Sequence, residues 1–168
     1  MIREYLRGGQ TFFVVPRISD FVSIIDFLKD NVPKLRYCVA SGQMNSSILD
    51  DTMTDFYDRK YDILLSTSII ESGLDIPAAN TLIVYKADMF GLAQLYQIRG
   101  RVGRGSRQAN CLLLVPKKHL EKDAFSRLKT VEQNTSLGAG YNISMKDLEI
   151  RGAGSLFGYK QSGHISSV

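Results

Sequence analysis

The 168-residue sequence contains no tryptophan, two histidines and two cysteines. Two cysteines are too few for a disulfide framework, and neither looks like a metal ligand. Cys38 and Cys111 each lie in an apolar run. We therefore expect both to be small core residues of a protein in a reducing compartment, and we expect no metal site.

No stretch of the sequence is apolar enough to cross a bilayer, and the first residues lack the apolar segment of a signal peptide. We therefore expect a cytoplasmic protein with no membrane partner. The sequence also lacks a Gly-x-x-x-x-Gly-Lys-Ser/Thr loop, and no Asp-Glu pair ends an apolar strand. The usual groups for holding nucleotide phosphates and Mg²⁺ are therefore absent.

What is present is an ordinary globular composition with an uneven charge. The hydrophobic content of 44% can fill the core of one domain, and the net charge of +4 permits an anionic partner without requiring one. Nine basic residues lie between residues 99 and 129, against two acidic ones. This segment is therefore the best candidate for binding an anion.

Short apolar runs alternate with amphipathic segments along the chain. The predicted strands are 10–15, 35–40, 62–66, 81–85 and 109–115, and the main predicted helices are 20–31, 46–58 and 121–133. Such runs are typical of strands buried on both faces, so we predict a parallel α/β sheet. Ser19, and Ser46 or Ser47, are candidate helix caps. Ligands are expected at the carboxyl ends of the strands.

The segment 94–105 holds three arginines and three glycines. Read as one helix, it places Gln97, Arg101 and Arg104 on one stripe. The opposite stripe is apolar and consists of Leu95, Ile98 and Val102. Guanidinium groups can grip phosphate oxygens bidentately, so the first stripe is either an anion-binding face or an ordinary solvated helix face.

Two further segments offer polar groups in glycine-rich surroundings. After the third predicted strand, Thr67 provides a hydroxyl, and Asp75 provides a carboxylate just beyond Gly73. Each could equally be a helix cap or a turn residue. Near the end of the chain, residues 144–147 match a capping box that opens a short helix ending before residue 152, and four glycines follow up to residue 163.

The residues carry a resemblance to superfamily 2 helicases. Residues 67–77 resemble motif V, the Gln-x-x-Gly-Arg-x-x-Arg of residues 97–104 resembles motif VI, and residues 10–20 resemble motif IV. Residues 42–44 resemble a further loop of this family, although the family usually has histidine where this chain has Ser41. The resemblance implies a RecA-like parallel sheet flanked by helices, which is the C-terminal lobe of a two-lobed motor.

Residues 138–164 resemble the translocation motif shared by transcription-repair coupling factors and fork-reversing RecG-type helicases. The sequences of residues 76–81 and 161–165 are closer to those of the coupling factors. This resemblance divides the chain into a RecA-like lobe at 1–135 and a translocation motif at 136–168, a helical hairpin and loop.

The resemblance also implies roles for single residues in a composite ATP site. The missing first lobe would supply the phosphate loop and Mg²⁺. This lobe would supply Arg104 as an arginine finger and Arg101 as a second γ-phosphate or interlobe contact, with Gln97 positioning the site. Gly73 and Asp75 would pack against the nucleotide sugar and the motif VI helix.

Other implied contacts concern DNA. Thr67 would touch a nucleic-acid phosphate, and Arg151 and Gln161 would couple lobe movement to DNA. Residue chemistry alone leaves a second interpretation open, in which Arg151 only compensates a helix C-terminus and Gln161 is exposed.

The implied partners are double-stranded DNA, the first RecA-like lobe of the same polypeptide and, for a coupling factor, RNA polymerase and excision-repair proteins. A RecG-like fork-reversing helicase with the same motor is the main alternative. A non-enzymatic RecA-like interaction module is more distant, because intact Arg101, Arg104 and Asp75 argue against motifs that survive only as relics. In every case we expect the isolated chain, without a phosphate loop, to be inactive.

Overall fold

The computed structural model describes residues 1–67, 75–116, 120–134 and 140–151. Five parallel strands form one sheet: β1 (Gln10–Val14), β2 (Tyr37–Ala40), β3 (Ile63–Ser66), β4 (Ala79–Val84) and β5 (Asn110–Leu113). Their order across the sheet is β2-β3-β1-β4-β5, with every neighbouring pair parallel. The predicted parallel α/β fold is confirmed, and each predicted strand is present with small shifts at its ends.

Six α-helices accompany the sheet within the described ranges: α1 (Ile2–Leu6), α2 (Asp20–Asn31), α3 (Ser46–Tyr57), α4 (Leu92–Arg99), α5 (Lys122–Gln133) and α6 (Gly140–Arg151). A 3-10 turn, Ala87–Met89, lies between β4 and α4. The short α1 was not predicted, because five residues are too few to show a helical period. None of the helices in these ranges is long and apolar enough to cross a membrane.

The sheet is covered on both faces. Side chains of successive strand residues alternate between two apolar clusters, with Phe12 and Val14 in one and Phe13 in the other. One cluster is completed by α2, through Phe21, Ile24 and Leu28. The other is completed by α3, α4, α5 and α6, through Met53, Phe56, Leu92, Leu95, Val131 and Ile143. The continuous apolar runs in the sequence follow from this two-sided burial.

The predicted helix starts are confirmed, since Ser19 immediately precedes α2 and Ser46 opens α3, but neither helix is capped by a serine side chain. Ser19 has helical backbone angles (φ −60°, ψ −21°), so within the described residues its side chain makes no capping hydrogen bond. At the start of α3, Asn45 is the cap: its Oδ1 accepts a hydrogen bond from the backbone N–H of Ser47 at 3.0 Å. Asn45 has the extended backbone that a capping residue needs, whereas Ser46 and Ser47 already lie inside the helix.

Helix α6 begins at Gly140, four residues before the predicted start. Ser144 therefore lies inside the helix, and its hydroxyl donates to the carbonyl of Gly140 at 2.9 Å. Helix α6 packs against both α4 and α5. The proposed division of the chain at residue 135 stays a prediction.

The two cysteines have different environments, which corrects the expectation that both are core residues. Cys38 is buried, and burial raises the pKa of its thiol to about 12. Cys111 is exposed on β5, one of the two edge strands of the sheet. On α5, Phe125 is 56% exposed, whereas Val131 of the same helix is buried.

Candidate functional site

One broad groove is lined by residues that follow β1, β2 and β3, and also by residues of α4, the turn after it, β5 and α5. Pro16 follows β1, Gly42 follows β2 and Thr67 follows β3, and all three line the groove. Gln97, Arg101 and Arg104 line the same groove. The expectation that ligand-binding groups meet at the carboxyl ends of parallel strands therefore agrees with the position of these side chains.

Helix α4 positions the arginines differently from the prediction. The predicted single helix over 94–105 is wrong, because α4 ends at Arg99 and Gly100 is its C-cap. After the helix, the backbone N–H of Arg101 donates to the carbonyl of Ile98 at 3.1 Å, which makes a tighter turn than the helix has. The chain turns again at Gly103, where φ is +81°. Glycine tolerates this left-handed angle, and a Cβ at Gly103 would lie 3.2 Å from the Cβ of Ala109.

As a consequence, Gln97 is on the helix whereas Arg101 and Arg104 follow it. The apolar stripe persists in part: Leu95 and Ile98 are buried, and Val102 packs against the core from the turn. The start of α4 is fixed by Gln94, whose Oε1 accepts from the backbone N–H of Gly91 at 3.0 Å. This interaction satisfies a backbone N–H at the start of the helix.

Among the described residues, Arg104 is held by two contacts of modest strength. Its Nε donates to the carbonyl of Gly100 at 3.0 Å, and its guanidinium lies 3.7 Å from Oδ1 of Asp75. The side chains of Arg104 and Asp75 are 49% and 55% exposed. An ion pair this exposed contributes about 0–1 kcal/mol, so Arg104 can exchange Asp75 for another anion at little cost.

The predicted site residues divide into three groups. Thr67, Gln97, Arg101 and Arg104 line one groove, and Asp75 contacts Arg104. Arg151 is the last residue of α6. Gly73 and Gln161 lie outside the described residues. Their functional roles stay predictions.

Arg99 is a residue whose contacts the sequence did not reveal. Its guanidinium donates to the carbonyls of Val131, at 3.4 Å, and of Asn134, at the C-terminal end of α5. It also lies 5.5 Å from the ring centre of Tyr96. Arg99 thus joins the arginine-bearing helix to α5. Over thirty residues separate Arg99 from these carbonyls, so no local sequence signal could have identified the contact.

A second charged pair lies near the carboxyl ends of β1 and β4. Lys86 Nζ donates to Oδ1 of the buried Asp20 at 2.6 Å, and this hydrogen bond raises the pKa of Lys86. Lys86 also lies 5.2 Å from the ring centre of Tyr85 and has left-handed backbone angles. The pair fixes the start of α2 against the end of β4.

Comparison with known proteins gives consistent results. The profile of the helicase conserved C-terminal domain matches residues 1–106. The chain is similar over its whole length to the transcription-repair coupling factor of Rickettsia bellii (strain RML369-C), at 47% identity. It is 53% identical to that of Myxococcus xanthus over 99% of the chain. The chain spans 15% and 14% of the length of these relatives.

Among solved structures, RecG bound to a three-way DNA junction matches with a TM-score of 0.76 and 38% identity, over 92% of this chain and 20% of that one. The C-terminal domain of the DEAD-box protein Dbp5 matches with a TM-score of 0.58 over 79% of this chain and 75% of that one. The identity to Dbp5 is 18%, so this second likeness concerns the fold alone.

Proposed function

Because the chain belongs to the helicase conserved C-terminal domain family, we propose that it is the second RecA-like motor lobe of an ATP-dependent translocase on double-stranded DNA. One observation carries the proposal: the arginines after α4 share a groove with Thr67 at the carboxyl ends of the strands. A motor lobe needs both kinds of donor, since it must contact nucleotide phosphates and a nucleic-acid backbone.

The arginine donors of the groove fit a nucleoside triphosphate. Arg101 and Arg104 place two fixed positive charges on one turn, and the weak Arg104–Asp75 pair leaves the guanidinium free to turn toward a γ-phosphate. Mg²⁺ would neutralise charge on the phosphate oxygens and would be held mainly by the first lobe. In the described ranges, no three His, Cys, Asp or Glu side chains cluster as a metal site would require.

In this proposal Arg104 acts as an arginine finger across the interface between lobes. Charge develops on the transferred phosphoryl group, and a preorganised guanidinium stabilises it most in the transition state. Arg101 makes a second phosphate or interlobe contact. Gln97 would position the site from the last turn of α4, and by the resemblance Gly73 and Asp75 would pack against the nucleotide sugar and the motif VI segment.

The DNA contacts would carry no sequence information. Thr67 lines the groove from the end of β3, where its hydroxyl can donate to a backbone phosphate. Contacts of this type set the position of a protein on the duplex without reading bases, so movement would be sequence-independent. The translocation motif at 136–168, with Arg151 and Gln161, would convert lobe closure into a step along the duplex.

Similarity to the transcription-repair coupling factors supports a finer assignment. The complete protein would use this motor to displace stalled RNA polymerase and to bring excision-repair proteins to the damaged template. The likeness to RecG bound to a three-way DNA junction supports the alternative of a fork-reversing helicase. Both candidates share the motor and differ in domains outside this chain.

The test uses a complete two-lobed protein that carries this chain. It should displace a third strand from a DNA triplex in an ATP-dependent reaction, and it should release a stalled RNA polymerase from its template. Absence of triplex displacement would contradict the translocase. Triplex displacement with reversal of a branched fork, but without polymerase release, would favour the RecG-like alternative.

A further inference from the structure

A buried carboxylate lies beneath α1, a helix that the proposed motor function does not use. The Glu4 side chain is 1% exposed, and both of its oxygens accept from Arg7: Nε to Oε1 at 3.0 Å and a terminal nitrogen to Oε2 at 2.5 Å. The hydroxyl of Thr81, on β4, donates to the same carboxylate. A buried charge is costly unless it is paired in this way, so the arrangement fixes α1 on the sheet.

The turn after α1 is shaped around this carboxylate. Gly8 has φ +76°, and a Cβ at Gly9 would overlap Oε1 of Glu4. The backbone N–H of Gly9 donates to the carbonyl of Glu4 at 2.8 Å, which closes the helix end. The two glycines therefore allow the chain to pass directly over the ion pair on its way into β1.

From this anchored position, α1 reaches the segment that follows Arg104. Arg7 donates to the carbonyl of Gln108 at 2.9 Å, using the same terminal nitrogen that contacts Glu4. In return, Arg107 donates to the carbonyl of Arg7 at 2.9 Å. Two reciprocal hydrogen bonds thus join the end of α1 to residues only three and four positions beyond Arg104.

We propose that Glu4, Arg7, Arg107 and the carbonyl of Gln108 form a clamp that positions Arg104 for phosphoryl transfer. On its N-terminal side Arg104 follows α4, and on its C-terminal side the clamp ties residues 107 and 108 to Arg7 at the end of α1. Arg7 and Arg107 are positioning residues, since they act through Arg104. The inference rests on the proposed function of Arg104 as an arginine finger.

The test replaces Arg107 with alanine in a complete two-lobed protein. Arg107 is exposed, so the variant should fold, whereas Glu4→Ala would disturb the buried pair. We expect the kcat of DNA-stimulated ATP hydrolysis to fall about tenfold with less than about a twofold change in KM, because misplacement of a finger is felt mainly in the transition state. Arg7→Lys, which keeps a charge beside Glu4 but loses the fork, should show the same split.

A second readout needs no nucleotide. Amide hydrogen exchange of residues 104–110 should rise in Arg107→Ala, since the clamp restrains local opening. Lys60→Ala is the control: it removes an exposed basic side chain that pairs with Asp55 of α3 at 2.5 Å and, among the described residues, contacts no member of the clamp, so it should change neither kcat nor exchange in this segment.

The double variant separates positioning from general destabilisation. If Arg107 acts through Arg104, then Arg107→Ala should cause no further loss of kcat in an Arg104→Ala background. A further tenfold loss there, or normal kcat and exchange in Arg107→Ala alone, would overturn the clamp while leaving the finger in place. If Arg104→Ala itself hydrolyses ATP at the normal rate, both the finger and the clamp are wrong.

Discussion

Replacing Arg104 with alanine should separate stability from catalysis. With the described residues, Arg104 makes one hydrogen bond, to Gly100 O, and a half-exposed ion pair with Asp75 at 3.7 Å. Exposed contacts of this kind contribute little, so the free energy of unfolding should fall by about 1 kcal/mol or less. An arginine finger, in contrast, accelerates hydrolysis roughly 10³- to 10⁵-fold, which corresponds to about 4–7 kcal/mol of transition-state stabilisation.

The assay therefore compares two measurements on matched proteins. Urea denaturation of the isolated chain gives the stability change, and DNA-stimulated ATP hydrolysis by the two-lobed protein gives kcat and KM. We expect kcat to collapse while nucleotide affinity changes little. Arg104→Lys, which keeps the charge but not the planar fork, should recover only part of the rate. Near-normal hydrolysis by Arg104→Ala would refute the finger, and a stability loss above about 3 kcal/mol would show that the residue is structural.

Four other predictions concern separate parts of the chain. The purified chain alone should not hydrolyse ATP with or without DNA, since it lacks a phosphate loop; measurable DNA-stimulated turnover would contradict this. Its binding to duplex DNA should be weak, independent of sequence and steeply weakened by salt in a titration from low to physiological ionic strength, because phosphate contacts release counterions; a salt-insensitive interaction would count against backbone binding. In the complete protein, Arg151→Ala and Gln161→Ala should retain ATP hydrolysis but abolish triplex displacement, and equal loss of both activities would instead mean that these residues support the ATP site or the fold. Finally, in a Cys111→Ser variant, Cys38 should react with a thiol reagent at pH 8 only after denaturation, because a pKa of about 12 leaves on the order of 10⁻⁴ of the thiol ionised; rapid reaction of the folded variant would show that the core around β2 is open.

Much of the sheet was predictable because its strands are buried on both faces. Apolar runs such as 10–15 and 62–66 have no polar alternation, and that is the pattern two-sided burial requires. The edge strand β5 was harder. Its apolar composition resembles that of a central strand, yet Leu112 is 44% exposed, because a position at the sheet edge depends on chain topology and not on local sequence.

The arginine segment shows where periodicity is insufficient. The spacing of Leu95, Ile98 and Val102 continues a helical stripe through residue 102, yet α4 ends at Arg99. A stripe of apolar residues reports which side chains contact the core, and a tight turn can satisfy it as well as a helix can. Gly100 and Gly103 were the better signal, since glycine marks helix ends and left-handed angles.

The contacts that join distant elements could not be predicted from the chain alone. Arg99 bonds to carbonyls of Val131 and Asn134, and Arg7 bonds to Gln108, so the partners are separated by 32 to 101 residues. Each acceptor is a backbone carbonyl, which every residue possesses, so side-chain identity carries no information about the pairing. Such contacts become visible only after the elements have been placed in space.

Arg99 nevertheless gives the arginine segment a mechanical connection that spacing did not suggest. It ends α4 one residue before the turn that carries Arg101 and Arg104, and its guanidinium holds carbonyls at the C-terminal end of α5. Helix α6 packs on both α4 and α5, so the three helices form one packed layer that leads from the groove to Arg151. Packed helices transmit small displacements because their interfaces resist compression. In the proposed motor, this layer is the set of contacts through which a shift of the arginine turn would reach the end of α6.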